Sequence, residues 1–65
     1  MRLDSIKIKL LMVEREIKQA DLAERCGYAR QNLSAKLTRG TCSAASAAKI
    51  AKALGVPVRE IIKED

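Results

Sequence analysis

The sequence predicts an all-α domain, a compact bundle of five short helices, and three observations carry that prediction. Apolar residues recur three and four apart along most of the chain, the spacing that places side chains on one face of a helix. The apolar 48% of the chain is mostly Leu, Ile, Val and Ala with a single aromatic, Tyr28. Such a core has to close by packing aliphatic side chains around alanines, which suits short helices at close approach and suits a β-sandwich poorly. Three glycines, Gly27, Gly40 and Gly55, stand where the periodic stretches end. At 65 residues one domain is the sensible count, and a domain this short buries only about 60% of the surface its unfolded chain exposes, so the core is thin.

The first helix is expected over about residues 3 to 15, where Leu3, Ile6, Leu10 and Val13 form a stripe that Ile8, Leu11 and Met12 widen. Asp4 and Ser5 lie near its start, where oxygen-bearing side chains satisfy free amides. Ile17 leads into a second helix over about 19 to 26, with Leu22, Ala23 and Cys26 inward and Asp21 in the first turn, where the helix dipole favours a negative charge. Gly27 ends it in the position that commonly takes a left-handed residue. The third helix is expected over about 29 to 39, anchored by Leu33 and Leu37 and ended by Gly40. Thr41, Cys42 and Ser43 make a turn, with Ser43 as the cap of a fourth helix over about 44 to 54, whose inward face is Ala47, Ile50, Ala51 and Leu54. Gly55 closes that helix, and Pro57 fits the first turn of a fifth, where its missing N–H costs nothing. Val58, Ile61 and Ile62 form the apolar side of that fifth helix, with Ile61 inward, and Lys63, Glu64 and Asp65 are a polar, fraying end.

Charge is unevenly distributed. The formal net charge is +5, yet all eight carboxylates lie toward the two ends. Between Glu24 and Glu60 there is none, while Arg25, Arg30, Lys36, Arg39, Lys49, Lys52 and Arg59 fall in that interval. An acid-free basic middle is the footprint of a polyanionic partner; on charge alone, a solvated basic face is an equal reading.

Gln19 to Gly40 resembles the helix-turn-helix of the Cro and phage-repressor family. Gln19 opens the second helix, Leu22 and Ala23 follow, Gly27 makes the turn and Leu33 anchors the third helix. The run Ile50-Ala51-Lys52-Ala53-Leu54-Gly55-Val56, followed by a short apolar segment, matches the family's usual ending. Ala23 is small because the third helix crosses close above it, and Gly27 lets the chain reverse. Ala29 stands where many members have Ser or Thr. Lys36 takes the place of the second apolar anchor, with Leu37 four residues after Leu33 and Gly40 seven after it. The third helix is therefore one residue longer or its turn is shifted.

The resemblance implies a lambda-repressor-like DNA-binding domain whose third helix enters the major groove with its N-terminal residues at base edges. The local chemistry agrees: Arg pairs with guanine O6 and N7, and Asn or Gln with adenine N6 and N7. Arg30, Gln31, Ser34 and Ala35 share the face opposite Leu33 and Leu37 and are the expected base contacts. Asn32 lies nearer the edge of that face, toward phosphate or backbone. Gln19, at the amide-rich start of the second helix, is placed for a phosphate, and Lys36, Arg39 and Thr41 for the opposite backbone. Double-stranded DNA is thus the expected partner and a transcription regulator, a repressor, the expected function. The protein is expected to act as a homodimer on a palindromic site, joined at Val58 and Ile62, because one helix reads too few base pairs for a genomic address. Tyr28 is expected at the corner between the second and third helices, Cys26 as a small packing residue, Cys42 exposed in its turn, and Lys49 and Lys52 solvated.

Other function classes find little support. With no histidine there is no Cys–His or Ser–His pair, and the carboxylates are dispersed, so no enzyme is expected. Cys26 and Cys42 lack zinc-ligand company, and no metal, cofactor or small-molecule ligand domain is expected. The residues from Met1 to Ser5 form no apolar leader and no run approaches the ~18 apolar residues of a membrane span, so a cytoplasmic protein with free thiols is expected. The competing reading on the same fold is a protein-interaction module such as an antitoxin, although nothing follows Asp65 that would wrap a toxin.

Overall fold

The structure, a computed structural model, describes residues 1–63. Four α-helices and one 3₁₀ turn follow in order: α1 Ser5–Glu14, α2 Gln19–Cys26, α3 Arg30–Arg39, α4 Ala44–Leu54 and the 3₁₀ turn Val58–Glu60. Two of the four helix starts are capped by a side chain. The Asp4 carboxylate accepts the Lys7 amide at 3.1 Å, and the Ser43 hydroxyl accepts the Ser46 amide at 3.2 Å. Ala29 occupies the capping position of α3 in extended backbone but offers no side-chain acceptor.

The helices stop where the sequence suggests. At Gly27, φ is 79°, and the amides of Gly27 and Tyr28 return to the carbonyls of Glu24 and Ala23 at 3.1 and 2.9 Å. That paired return satisfies two orphan carbonyls and reverses the chain toward α3. The same closure ends α1, but there Glu16 is the left-handed residue, at φ 55°.

One core joins all four helices with Leu3 before them and Ile61 just after the 3₁₀ turn. It comprises Leu3, Ile8, Met12, Leu22, Ala23, Cys26, Leu33, Leu37, Ala47, Ile50, Ala51, Leu54 and Ile61. α2 packs on both α3 and α4, and α4 packs on the 3₁₀ turn. Ala23 is only 1% exposed, in keeping with the close crossing of α2 and α3.

Two expectations are corrected. The expected fifth helix is a single 3₁₀ turn: beyond it, Ile62 leaves helical geometry to pair in an antiparallel bridge with Leu3. Pro57 precedes the turn in extended backbone at ψ 148°, not inside a helix. Ile61 is fully buried as expected, whereas Ile62 is half-buried against the core. The second correction concerns α1. Its inward residues are Ile8 and Met12, while Ile6, Leu10 and Val13 of the expected stripe are exposed. Apolar residues lie on two sides of this helix, and periodicity alone does not say which side turns in.

Residues 1 to 4 are not helical either; they form an extended segment clasped on two sides. Leu3 donates to the Gly40 carbonyl and Asp4 to the Ile61 carbonyl, each at 2.8 Å, while Lys63 donates to Arg2 at 2.9 Å. A second antiparallel bridge pairs Arg2 with Thr41. Lys63 is therefore tied down instead of fraying; Glu64 and Asp65 lie outside the described residues. No helix among the described residues is long and apolar enough to cross a membrane.

Two stability measurements check this packing. Ala29→Ser, which supplies the missing acceptor, should stabilise the domain by about 1 kcal/mol and raise its melting temperature by roughly 4–8 °C. Ala23→Leu should cost about 1–3 kcal/mol by forcing α2 and α3 apart, a large share of the stability of so small a domain. Unchanged melting in both variants would contradict the described junction.

Candidate nucleic-acid interface

The turn at Gly27 and the buried anchors Leu33 and Leu37 decide which side of α3 faces solvent. With the leucines inward, one turn apart, the outward side carries Gln31, Ala35, Thr38 and Arg39, with Ser34 at its edge and Arg30 joining it from the first turn. These six residues line one open hollow of about 720 Å³ along α3. All four expected base contacts, Arg30, Gln31, Ser34 and Ala35, fall on it. Arg39, expected at a phosphate, lines the same hollow. Its lining holds two guanidinium groups, an amide, two hydroxyls and a methyl group, with no carboxylate. It offers both donors and acceptors for base edges and apolar contact for a thymine methyl.

Thr38 was not singled out from the sequence. The signal was available: it lies four residues after Ser34 and three after Ala35, which places it on their face.

The remaining expected contacts lie around this hollow. Gln19 is the first residue of α2 and half-buried; Asn32 is exposed on the first turn of α3 beside the hollow, outside its lining. Thr41 is exposed just past α3, its backbone held by the bridge to Arg2.

Lys36 points elsewhere. It is half-buried, and its ammonium lies 5.0 Å from the centre of the Tyr28 ring. Lys49 of α4 approaches the same ring at 5.5 Å. The ring's negative face attracts both cations. The Tyr28 phenol donates to the Ser46 hydroxyl at 2.9 Å, so Tyr28 ties the α2–α3 turn to α4 instead of only covering the corner. Ser43 donates to the same hydroxyl at 3.1 Å. Tyr28 thus gathers two cations, one from α3 and one from α4, around its ring. Lys49 was expected to be solvated; it is exposed, and the ring orients it.

The cysteines are free and do not extend the site. Cys26 is buried, as expected, and its thiol donates to the Lys49 carbonyl at 3.7 Å. Cys42 is half-buried against the core, not exposed. Burial pushes both thiols above the ordinary cysteine range. Lys49 beside Cys26, and the N-terminal ammonium and Lys36 beside Cys42, offset that only in part. Neither thiol is poised as a thiolate at neutral pH.

The expected dimer contact is altered by the loss of the fifth helix. Val58 remains 37% exposed on the 3₁₀ turn, but Ile62 is partly covered and committed to its bridge with Leu3. The two residues no longer share a helical face.

No curated relative and no solved structure matches the chain. A family model does: the Cro/C1-type HTH DNA-binding domain matches residues 7–63, which takes in α2, the turn at Gly27, α3 and α4 whole. The buried Ala23, the left-handed Gly27 and the inward Leu33 thus lie within that match, and the chain belongs to the Cro/C1-type helix-turn-helix DNA-binding domain family.

Proposed function

We propose that the protein is a sequence-specific, double-stranded-DNA-binding transcription regulator, a repressor, that lays α3 in the major groove. The observation that carries this reading is the outward face of α3. On a frame whose family binds DNA, it combines Arg30 and Gln31 at its N-terminal end, Ser34, Ala35 and Thr38 along its middle and Arg39 at its end, without a carboxylate. Arg30 reads guanine and Gln31 reads adenine; Ser34, Ala35 and Thr38 adjust the fit and meet thymine methyls. Gln19, Asn32, Arg39 and Thr41 hold the flanking phosphates. Lys36 and Lys49, gathered by Tyr28, add positive potential along one backbone. Two copies on a palindromic site supply the specificity that one helix lacks. Occupancy of a promoter in this way excludes polymerase, which is the basis for repression.

Selection of binding sites from random duplex DNA is the direct test. It should return a palindrome whose half-sites repeat at about one helical turn, 10–10.5 base pairs. Recovery of no sequence preference would overturn the proposal.

Affinity should fall steeply with salt. If a pair of copies neutralises about six phosphates, the slope of log K against log salt is roughly −5, measurable by fluorescence anisotropy. A slope near zero would exclude a phosphate-dominated interface.

Substitutions on α3 should separate by role. Arg30→Ala and Gln31→Ala should each lose about 1–3 kcal/mol on the selected site and relax the preference at one base pair. Both residues are exposed, so melting should change by less than about 0.5 kcal/mol. Lys36→Ala and Arg39→Ala should weaken all sequences about equally. If Arg39 carried a base preference instead, the reading face would extend to the end of α3.

A further inference from the structure

Helix α1 keeps a second apolar side out of the core. Ile6, Leu10 and Val13 are 74%, 57% and 75% exposed. At about 100° per residue the three fall within roughly 60° of one another, on the side away from Ile8 and Met12. Single exposed apolar residues are ordinary, but three at i, i+4 and i+7 make the stripe by which one helix packs on another.

We propose that this stripe docks a second copy of the same chain, α1 against α1, antiparallel about a two-fold axis that passes beside Leu10. The pairing deepens the DNA-binding reading above, and its bearing on the two α3 helices rests on that reading. Three features select this occupant and this orientation.

The stripe is self-complementary about its centre: Leu10 meets Leu10, and Ile6 meets Val13 of the second copy. Charge then chooses the direction. Lys7 and Glu14 lie on the same flank of the stripe, one toward each end, so the antiparallel pair sets Lys7 opposite Glu14 of the second copy twice. A parallel pair, related by an axis along α1, would put the two Lys7–Glu14 flanks on opposite sides and form neither contact. Lys7 already holds Glu60 of its own chain at 2.8 Å, and its ammonium has donors left for a second carboxylate.

The third feature is the place of α3. On the flank opposite Lys7, the Ser5 hydroxyl donates to the Leu37 carbonyl in the last turn of α3 at 2.6 Å. A two-fold axis perpendicular to α1 keeps this flank on the same side in both copies. Both α3 helices therefore come to one side of the pair, as binding to a single duplex requires. Toward the other flank, the Lys7–Glu60 pair leads to the 3₁₀ turn that bears Val58.

The contact is small. A ten-residue helix is about 15 Å long, and three side chains per copy fall well short of the ~800 Å² that each partner gives to a standard interface. The free pair is accordingly weak and completes on DNA.

Sedimentation equilibrium from about 10 μM to about 1 mM, the range of weak association, tests this. Wild type should pass from monomer to dimer, while Leu10→Lys should stay monomeric with an unchanged melting curve. Glu14→Lys, which leaves Lys7–Glu60 intact, and Lys7→Glu should each weaken the pair by about tenfold or more. An equimolar mixture of those two variants should recover it, because every cross-pair is then of opposite charge. On DNA, Leu10→Lys should bind a single half-site like wild type and lose cooperativity on the palindrome.

A wild type that stays monomeric to 1 mM, or a Leu10→Lys variant that dimerises like wild type, would overturn the pairing. So would a dimer abolished by Val58→Lys but not by Leu10→Lys, which would place the second copy on the 3₁₀ turn. A Leu10-dependent dimer that binds no duplex would leave the pairing standing and overturn the DNA reading alone.

Discussion

The rest of the structure depends on how closely α2 and α3 cross. With Ala23 at the crossing the helices need no large side chain between them, and the left-handed Gly27 brings the chain round at once. Those two positions fix the angle at which Leu22 and Cys26 meet Leu33, and so which side of α3 is left to solvent. The hollow that holds Arg30, Gln31, Ser34, Ala35, Thr38 and Arg39 is the consequence of that angle. A thin aliphatic core leaves little slack to absorb an error there. Stability and the placing of the α3 face therefore draw on the same few buried atoms.

Much of this was legible in the sequence, for physical reasons that also mark where it stopped. α2 and α4 were readable because each has its apolar residues larger than alanine on one side only and a glycine immediately after; their bounds and inward faces are as expected. The α3 face was readable because Leu33 and Leu37 point one way and the polar residues the other. Thr38 was missed only because the face was followed too short a distance. α1 was ambiguous in kind: Ile6, Leu10 and Val13 fit the helical period as well as Ile8 and Met12 do, and tertiary packing made the choice. The fifth helix and the extended start were misread together, since each depends on the other. Ile62 abandons the helix for Leu3, a partner that no local pattern announces. Likewise Tyr28 finds Ser46 and two lysines across the fold, contacts that residue spacing cannot indicate.

Electrostatics and packing divide the surface between two tasks. The carboxylates at the ends of the chain support local structure: Asp4 caps α1 and Glu60 holds Lys7. The middle of the chain, which builds α3 and α4, keeps its cations free of acidic neighbours in sequence. Lys36 and Lys49 there lie over an aromatic ring, which does not neutralise their charge. An acid in the same place would have neutralised the field.

The clasp around residues 1 to 4 bears on the order in which the molecule comes apart. The contacts among α2, the turn and α3 are short in sequence separation and form without closing a large loop. Those that seat α1 are not: Ser5 reaches Leu37 across 32 residues, and Met1 reaches Cys42 across 41. Loop-closure entropy makes such long-range bonds late to form. Of residues 1 to 4 only Leu3 enters the core, which marks this terminal clasp as an early-opening unit. Amide hydrogens of Leu3, Asp4 and Lys63 should then exchange as one group, ahead of those around Leu33. On this ground the α2–turn–α3 unit can form before the clasp of residues 1 to 4 closes on it.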